Sequence, residues 1–308
     1  MESPRTIGVT LGDPAGVGPE VLDAALSSVE TGAKIRLYGP DQLVRDLASR
    51  HADTTPVPTS AGLEGVTIGR YSRASGQASM AALQAGVGDL SGGVLAALVT
   101  GPICKVALGE AGLSFPGQTE MVAEATGADR FAMMLAGPQL RVTLATTHVA
   151  IRDLARVLSA GAIRDAVELT HGFLRDRLNV TVPRIGVLGL NPHASDEGRF
   201  GDEEDTLIEP VVSALQSAGI QAAGPLPADT AFHRAVQGEF HALVAMYHDQ
   251  GLGPLKLHHF ADAINITLGL PAVRCSPDHG PAFDIAGKGL ADPTSMVEAL
   301  RFAASTIA

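Results

Sequence analysis

Short apolar or β-branched runs alternate along the chain with longer segments of helical periodicity. Runs at residues 6–11, 35–38, 95–100, 131–135, 142–146, 185–190, 243–247 and 263–268 predict strands. Most are continuous rather than alternating, the pattern of strands buried on both faces of a largely parallel sheet. Between them, residues 19–26, 41–49, 77–87, 151–158, 163–177, 205–216 and 295–305 predict helices, with Asp41 placed as an N-cap after Pro40. The order βαβα reads as an α/β fold. Residues 51–66, rich in Thr, Pro and Gly, read as a surface connection. There is no internal repeat and no low-complexity linker, which points to two lobes sharing one sheet.

Composition narrows the class. The chain has 308 residues, 45% of them hydrophobic and 18% charged, so it can bury a sizeable core. With 22 basic and 33 acidic residues the net charge is −11, which argues against nucleic acid as a partner. An anionic small substrate stays compatible, because a few local cations can outweigh the global field. No apolar run is long enough for a membrane helix, and the N-terminal residues lack a signal-peptide core. Two cysteines, Cys104 and Cys275, make no disulfide framework. The expectation is a soluble, reduced, cytoplasmic protein.

Three histidines share one setting. His148, His193 and His248 each lie just past the C-terminal end of a predicted strand, where functional groups converge in open α/β sheets. Three neutral imidazoles can hold Zn²⁺ or a similar ion and leave positions open for substrate. Widely separated histidines also occur as plain structural hydrogen-bonders, and both readings stand at this level. Asp249 beside His248, and Asp229, are candidate bases or orienting acceptors. The stretch His279-Gly280-Pro281-Ala282-Phe283-Asp284-Ile285-Ala286-Gly287-Lys288-Gly289-Leu290-Ala291-Asp292-Pro293 could present backbone amides to a phosphate, or be an ordinary loop before the last helix. The turn Gly12-Asp13-Pro14-Ala15-Gly16-Val17-Gly18-Pro19 matches neither G-x-G-x-x-G nor a P-loop, and a structural turn is at least as good a reading. Lys105, Lys256 and Arg274 are the cationic candidates. An arginine in an apolar stretch, as Arg274 is, usually has an anionic partner, in a ligand or in an ordinary salt bridge within the protein.

These segments together resemble the 4-hydroxythreonine-4-phosphate dehydrogenase family. The resemblance rests on Gly12 to Glu20, Val99-Thr100-Gly101-Pro102, Leu144-Ala145-Thr146-Thr147-His148, Gly189-Leu190-Asn191-Pro192-His193-Ala194, Gly224-Pro225-Leu226-Pro227-Ala228-Asp229-Thr230, Ala245-Met246-Tyr247-His248-Asp249-Gln250 and Asn265-Ile266-Thr267-Leu268-Gly269-Leu270-Pro271. It implies a two-lobed, isopropylmalate-dehydrogenase-like α/β/α fold with a mixed, largely parallel sheet, distinct from the Rossmann fold. Residues 1–105 with 266–308 would form the lobe holding both termini and the NAD loop. Residues 106–265 would form the metal, substrate and dimerisation lobe.

The resemblance also implies roles. His148, His193 and His248 match metal ligands (for Zn, Mg or Co) drawn from both subunits of a homodimer whose active site lies at the subunit interface. Gln118, Thr119, Lys256, Asn265 and Arg274 match contacts to a phosphorylated small-molecule substrate. His279, Gly280, Asp284, Gly287 and Asp292 fall in the NAD-binding loop, with Asp292 disfavouring the extra phosphate of NADP. Asp249, Asp229 and Lys105 are the candidate catalytic bases. The implied reaction is NAD- and divalent-metal-dependent oxidation of 4-phosphohydroxy-L-threonine to 2-amino-3-oxo-4-phosphooxybutanoate. Loss of CO₂ then gives 3-amino-2-oxopropyl phosphate, for pyridoxal phosphate biosynthesis. Gln118 departs from the histidine that the phosphohydroxythreonine enzymes carry. An amide hydrogen-bonds but cannot carry a proton as imidazolium does. That departure keeps a paralogous reading open, with 4-phospho-D-threonate or 4-phospho-D-erythronate as substrate. An aromatic cis-dihydrodiol dehydrogenase, a metal-dependent hydrolase and a non-catalytic metal-binding protein are the remaining alternatives.

Overall fold

The structure, a computed structural model, describes residues 5–113 and 117–307. Residues 1–4, most of the N-terminal segment that lacks a signal-peptide core, lie outside them. The chain divides into two compact units, Met1–Asp129 with Leu270–Ala308, and Arg130–Gly269.

The first unit is built on five parallel strands, in the order β3-β2-β1-β4-β11. These are β1 (Thr6–Thr10), β2 (Lys34–Pro40), β3 (Thr54–Thr59), β4 (Ala97–Thr100) and β11 (Val273–Pro277). Its helices are α1 (Gly18–Ser28), α2 (Asp41–Arg50), α3 (Arg73–Ser91), α4 (Lys105–Glu110), α5 (Gln118–Thr126) and α11 (Thr294–Thr306). The continuous apolar strands are buried as their pattern demands: Ile7, Val9, Leu37, Leu98 and Val99 have no exposed surface. Helix α3 starts where Ser72 and Ser75 cap each other reciprocally. Its apolar face, with Leu83, Val87 and Leu90, packs on Tyr38, Leu95 and Leu98.

Residues 106–113 and 117–129 belong to this unit, so the first crossing falls past the expected residue 105. The reason is packing on α3. A Cβ on Gly76 would stand 2.3 Å from the Ala107 carbonyl oxygen, so only glycine lets α4 lie this close. Val122 of α5 joins the same apolar cluster.

The second unit carries six strands, in the order β10-β5-β6-β9-β7-β8. They are β5 (Ala132–Ala136), β6 (Arg141–Leu144), β7 (Arg184–Leu188), β8 (Gln221–Leu226), β9 (Ala242–Ala245) and β10 (Ile264–Leu268). Strands β10, β5 and β6 pair antiparallel, and β6, β9, β7 and β8 pair parallel. The helices are α6 (Leu154–Val157), α7 (Ala160–Asp176), α8 (Glu209–Ser217), α9 (Ala228–Val236) and α10 (His248–His258). The core runs through Leu135, Val142, Leu144, Leu188, Leu243, Leu252 and Leu255. Sheet segments with both parallel and antiparallel pairs match the mixed, largely parallel expectation.

The expected surface connection at 51–66 contains β3, a strand with two prolines. Proline cannot donate to a ladder, and β3 sits at the end of the strand order, where that costs nothing. The expected helix at 151–158 is a 3₁₀ turn at Ile151–Asp153 followed by the short α6. The helix expected at 205–216 opens as a single π turn, Glu204–Ile208, before α8.

Candidate active site

Three neighbouring parallel strands, β6, β9 and β7, deliver the three histidines at one edge of the second unit. Side-chain bonds tie the strand ends together. Thr146 Oγ1, past β6, donates to the Met246 carbonyl past β9 at 2.6 Å. Gln250 accepts from the Met246 amide at 2.7 Å and donates to the Gly189 carbonyl past β7, also at 2.7 Å.

The His148 and His248 rings face each other with centroids 5.8 Å apart. His248 opens α10, and its Nδ1 lies 2.8 Å from Asp249 Oδ1. An N–H donated there leaves Nε2 with its lone pair free, the state a metal ligand needs. The same contact makes Asp249 an acceptor for the His248 ring. His193 takes a different partner: its Nδ1 lies 3.8 Å from Asp229 Oδ2 on α9. Among the described residues no group of three His, Cys, Asp or Glu stands close enough to hold an ion. One chain therefore assembles two pairs, His148 with His248 and His193 with Asp229. The donor chemistry of both suits a divalent ion of the zinc type.

The backbone carrying His193 is unusual. His193, Ala194, Ser195, Asp196 and Glu197 all have positive φ, between 48° and 70°. Each such L residue costs about 1–2 kcal/mol relative to the right-handed region. A run of five persists only where surrounding bonds over-determine it.

Asn265, on β10, has a buried Oδ1 with no hydrogen-bond partner. An acceptor left that way costs free energy unless a ligand donor reaches it. Lys256 lies on α10 and is partly buried.

In the first unit Arg274, on β11, is 3% exposed. Its Nη2 donates to Thr100 Oγ1 at 2.5 Å and to Gln118 Oε1 at 2.9 Å. Gln118 opens α5, and its Nε2 donates to the Gly101 carbonyl at 3.3 Å. Both ends of that amide are engaged. Burial pushes the Arg274 pKa down to about 10, against the opposing pull of Cys275 and Glu120. The guanidinium thus stays charged at neutral pH in a site that solvates it poorly. Thr119 is buried beside Gln118, and Lys105 is the exposed first residue of α4.

The loop at 279–293 runs from β11 to α11 in the same unit. His279 Nδ1 donates to the Gly280 carbonyl at 2.9 Å, and its Nε2 is buried without a partner. A Cβ on Gly280 would meet nothing within 4 Å. An orphaned ring nitrogen beside open backbone fits a cofactor that supplies hydrogen-bonding groups and needs close approach. The Gly287 amide donates to Glu20 of α1 at 2.8 Å. Asp284 is exposed. Asp292 accepts from the Thr294 hydroxyl at 2.6 Å and its amide at 2.9 Å, which holds its carboxyl below the usual range.

The first glycine turn is structural. Gly12 has φ +75, and a Cβ there would stand 2.3 Å from the Pro102 carbonyl oxygen. The Val17 amide donates to the Pro281 carbonyl at 2.8 Å, so the turn braces the loop at 279–293. Glu204 and Gln250 were not singled out by sequence reasoning, because their roles are bonds to backbone rather than a spacing of functional groups.

Comparisons with known proteins identify the fold and the family. At the level of fold, a β-decarboxylating dehydrogenase from Thermococcus kodakarensis superposes with a TM-score of 0.53 at 13% identity, covering 96% of this chain and 81% of that one. The chain thus shares the fold of that dehydrogenase. The family model for pyridoxal phosphate biosynthetic protein PdxA matches residues 17–303, and the chain belongs to that family. It is 43% identical to a 4-hydroxythreonine-4-phosphate dehydrogenase of Desulfosudis oleivorans, over 96% of this chain and 94% of the relative. It is 41% identical to a D-threonate 4-phosphate dehydrogenase of Cupriavidus necator, over 96% and 95%. A crystal structure of 4-hydroxythreonine-4-phosphate dehydrogenase from Klebsiella pneumoniae matches with a TM-score of 0.86 and 35% identity, covering 98% of this chain and 99% of that one.

Proposed function

We propose that the protein is an NAD-dependent dehydrogenase that oxidises 4-phosphohydroxy-L-threonine in pyridoxal phosphate biosynthesis. Membership of the PdxA family supports the reaction class and the pathway. The observation that carries the reading is the edge of the second unit, where neighbouring strands present His148, His248 with its Nε2 directed by Asp249, and His193.

His148, His193 and His248 are the ligands of a divalent ion. When bound, such an ion lowers the pKa of a substrate hydroxyl and polarises the ketone formed from it. A second copy of this chain completes the ligand set, since one chain groups only two of the three imidazoles. Leu257 and Phe260, at the end of α10, are almost fully exposed and suit coverage by that copy. In the second unit Asn265 Oδ1 accepts from a substrate ammonium or hydroxyl and Lys256 offers a cation; in the first unit Arg274 and Thr119 offer donors to an anion. Asp229 or Lys105 receives the hydroxyl proton, because Asp249 is occupied by His248. The loop at 279–293 would hold the nicotinamide cofactor, which would supply the hydride acceptor for the oxidised carbon. The β-keto acid so formed loses CO₂ to give 3-amino-2-oxopropyl phosphate. Among the described residues no helix is long and apolar enough to cross a membrane. We place the enzyme in the cytoplasm on its composition.

Two observations favour a second reading. Gln118 and the similarity to a D-threonate 4-phosphate dehydrogenase support a 4-phosphorylated sugar acid as substrate. Parallel assays of NAD reduction with 4-phosphohydroxythreonine and 4-phosphothreonate separate the two. Preference for the sugar acid would replace the first reading with the second.

A further inference from the structure

Glu204 is 1% exposed and opens the π turn Glu204–Ile208. A carboxylate so deeply buried is costly unless donors surround it. Its Oε1 accepts from the backbone amides of Leu190 and Asn191, both at 2.7 Å. Its Oε2 accepts from Asn191 Nδ2 at 2.9 Å, which also donates to Glu203 Oε2 at 2.7 Å. All three N–H donors to Glu204 therefore belong to a single step of backbone, Leu190–Asn191. That step joins β7 to the left-handed run that begins at His193. Gly189 makes room for the clamp, because a Cβ there would stand 2.9 Å from Glu204 Oε1. Gln250 adds a brace from the other side by tying the Gly189 carbonyl to the Met246 amide, two residues before His248.

We propose that Glu204 is a positioning residue. By clamping the Leu190–Asn191 step it stabilises the left-handed run and sets where His193 stands. Glu204 reaches neither substrate nor cofactor; it acts through His193. The inference rests on the reading of His193 as a ligand for a divalent ion. The charge matters because both carboxylate oxygens accept. A glutamine could keep Oε1 on the two amides, but it would turn an NH₂ toward Asn191 Nδ2, donor against donor.

The test uses the full-length wild type, Glu204→Gln, Glu204→Ala and His193→Ala. The first readout needs no metal: hydrogen–deuterium exchange at the Leu190 and Asn191 amides, with Val187 in β7 as internal reference. The clamp predicts exchange at least about tenfold faster at both amides in Glu204→Ala, near-native protection in Glu204→Gln, and an unchanged Val187. The second readout is Co²⁺ affinity, followed by the ion's visible absorption. It should fall about 10- to 100-fold in Glu204→Ala and severalfold in Glu204→Gln, with KM for NAD unmoved. Native protection of the two amides in Glu204→Ala would overturn the clamp. Native Co²⁺ affinity in Glu204→Ala with those amides exposed would overturn its link to His193. If Glu204→Ala does not fold, Glu204→Gln decides: weakened Co²⁺ binding supports the proposal and native binding overturns it. Native Co²⁺ binding by His193→Ala would sink the ligand reading instead, while the exchange data still decide the clamp.

Discussion

Replacing Arg274 by methionine separates a guanidinium that reads an anion from one that only builds the core. Burial that pushes its pKa down to about 10 corresponds to about 3 kcal/mol of lost charge solvation. The bonds from Nη2 to Thr100 and Gln118 return about 1.5 kcal/mol each. The two effects cancel to within about 2 kcal/mol, so the ligand-free variant should melt within about 5 °C of the wild type. Binding is different. Removing the buried partner of an anion costs about 2–5 kcal/mol, or about 30- to several-thousand-fold in kcat/KM. The assay is steady-state NADH formation with the phosphorylated substrate and with its dephosphorylated analogue, alongside calorimetric melting. The expected result is a large loss confined to the phosphorylated substrate. Equal losses on both substrates would refute phosphate reading by Arg274. A collapse in Tm with the kinetics of the remaining folded enzyme intact would make the residue structural. A pH signature accompanies this. As pH rises through about 10 the guanidinium loses its proton, so KM for the anionic substrate should rise. Over the same range the unfolded chain holds more protons than the folded one, so this group's contribution to stability increases.

Asp249→Ala should weaken divalent-ion binding about 10- to 100-fold, and Asp249→Asn much less, since an amide oxygen still accepts from His248 Nδ1. If instead both variants lose turnover equally while binding the ion normally, Asp249 is the base. Gln118→His should raise the kcat/KM ratio of 4-phosphohydroxythreonine over 4-phosphothreonate; an unchanged ratio makes Gln118 neutral for specificity. Burial raises the pKa of Asp13 above 3.8, against its bonds from the Ala15 amide and the Ser75 hydroxyl. The folded chain therefore holds the extra proton, and the contribution of Asp13 to stability falls as pH rises through its raised pKa. Urea unfolding should show Asp13→Asn gaining on the wild type over that range, and a pH-independent difference would contradict the shift.

The strands were legible where the chain is apolar and uninterrupted, because burial on both faces leaves one kind of residue. They were illegible where proline or glycine intervenes. β3 and β8 carry prolines that their positions at the ends of the strand orders tolerate. Helix α10 contains Gly251, Gly253 and Pro254, which read as breakers. Gly251 is instead what lets the helix lie on the sheet, since a Cβ there would stand 2.9 Å from Leu144 and Val142 side-chain carbons. The histidines at the strand ends could be picked out because a strand followed by a polar residue is visible in one dimension. The pairing of His148 with His248, the engaged amide of Gln118 and the clamp at Glu204 are contacts between distant segments, and no local spacing encodes them.

NADH formation by purified protein with NAD, a divalent ion and 4-phosphohydroxythreonine, with 4-phosphothreonate in parallel, tests the proposed dehydrogenase activity. The expected result is ion-dependent NADH formation, faster on 4-phosphohydroxythreonine, with one CO₂ released per NADH. No NADH from either substrate with the ion present would contradict it.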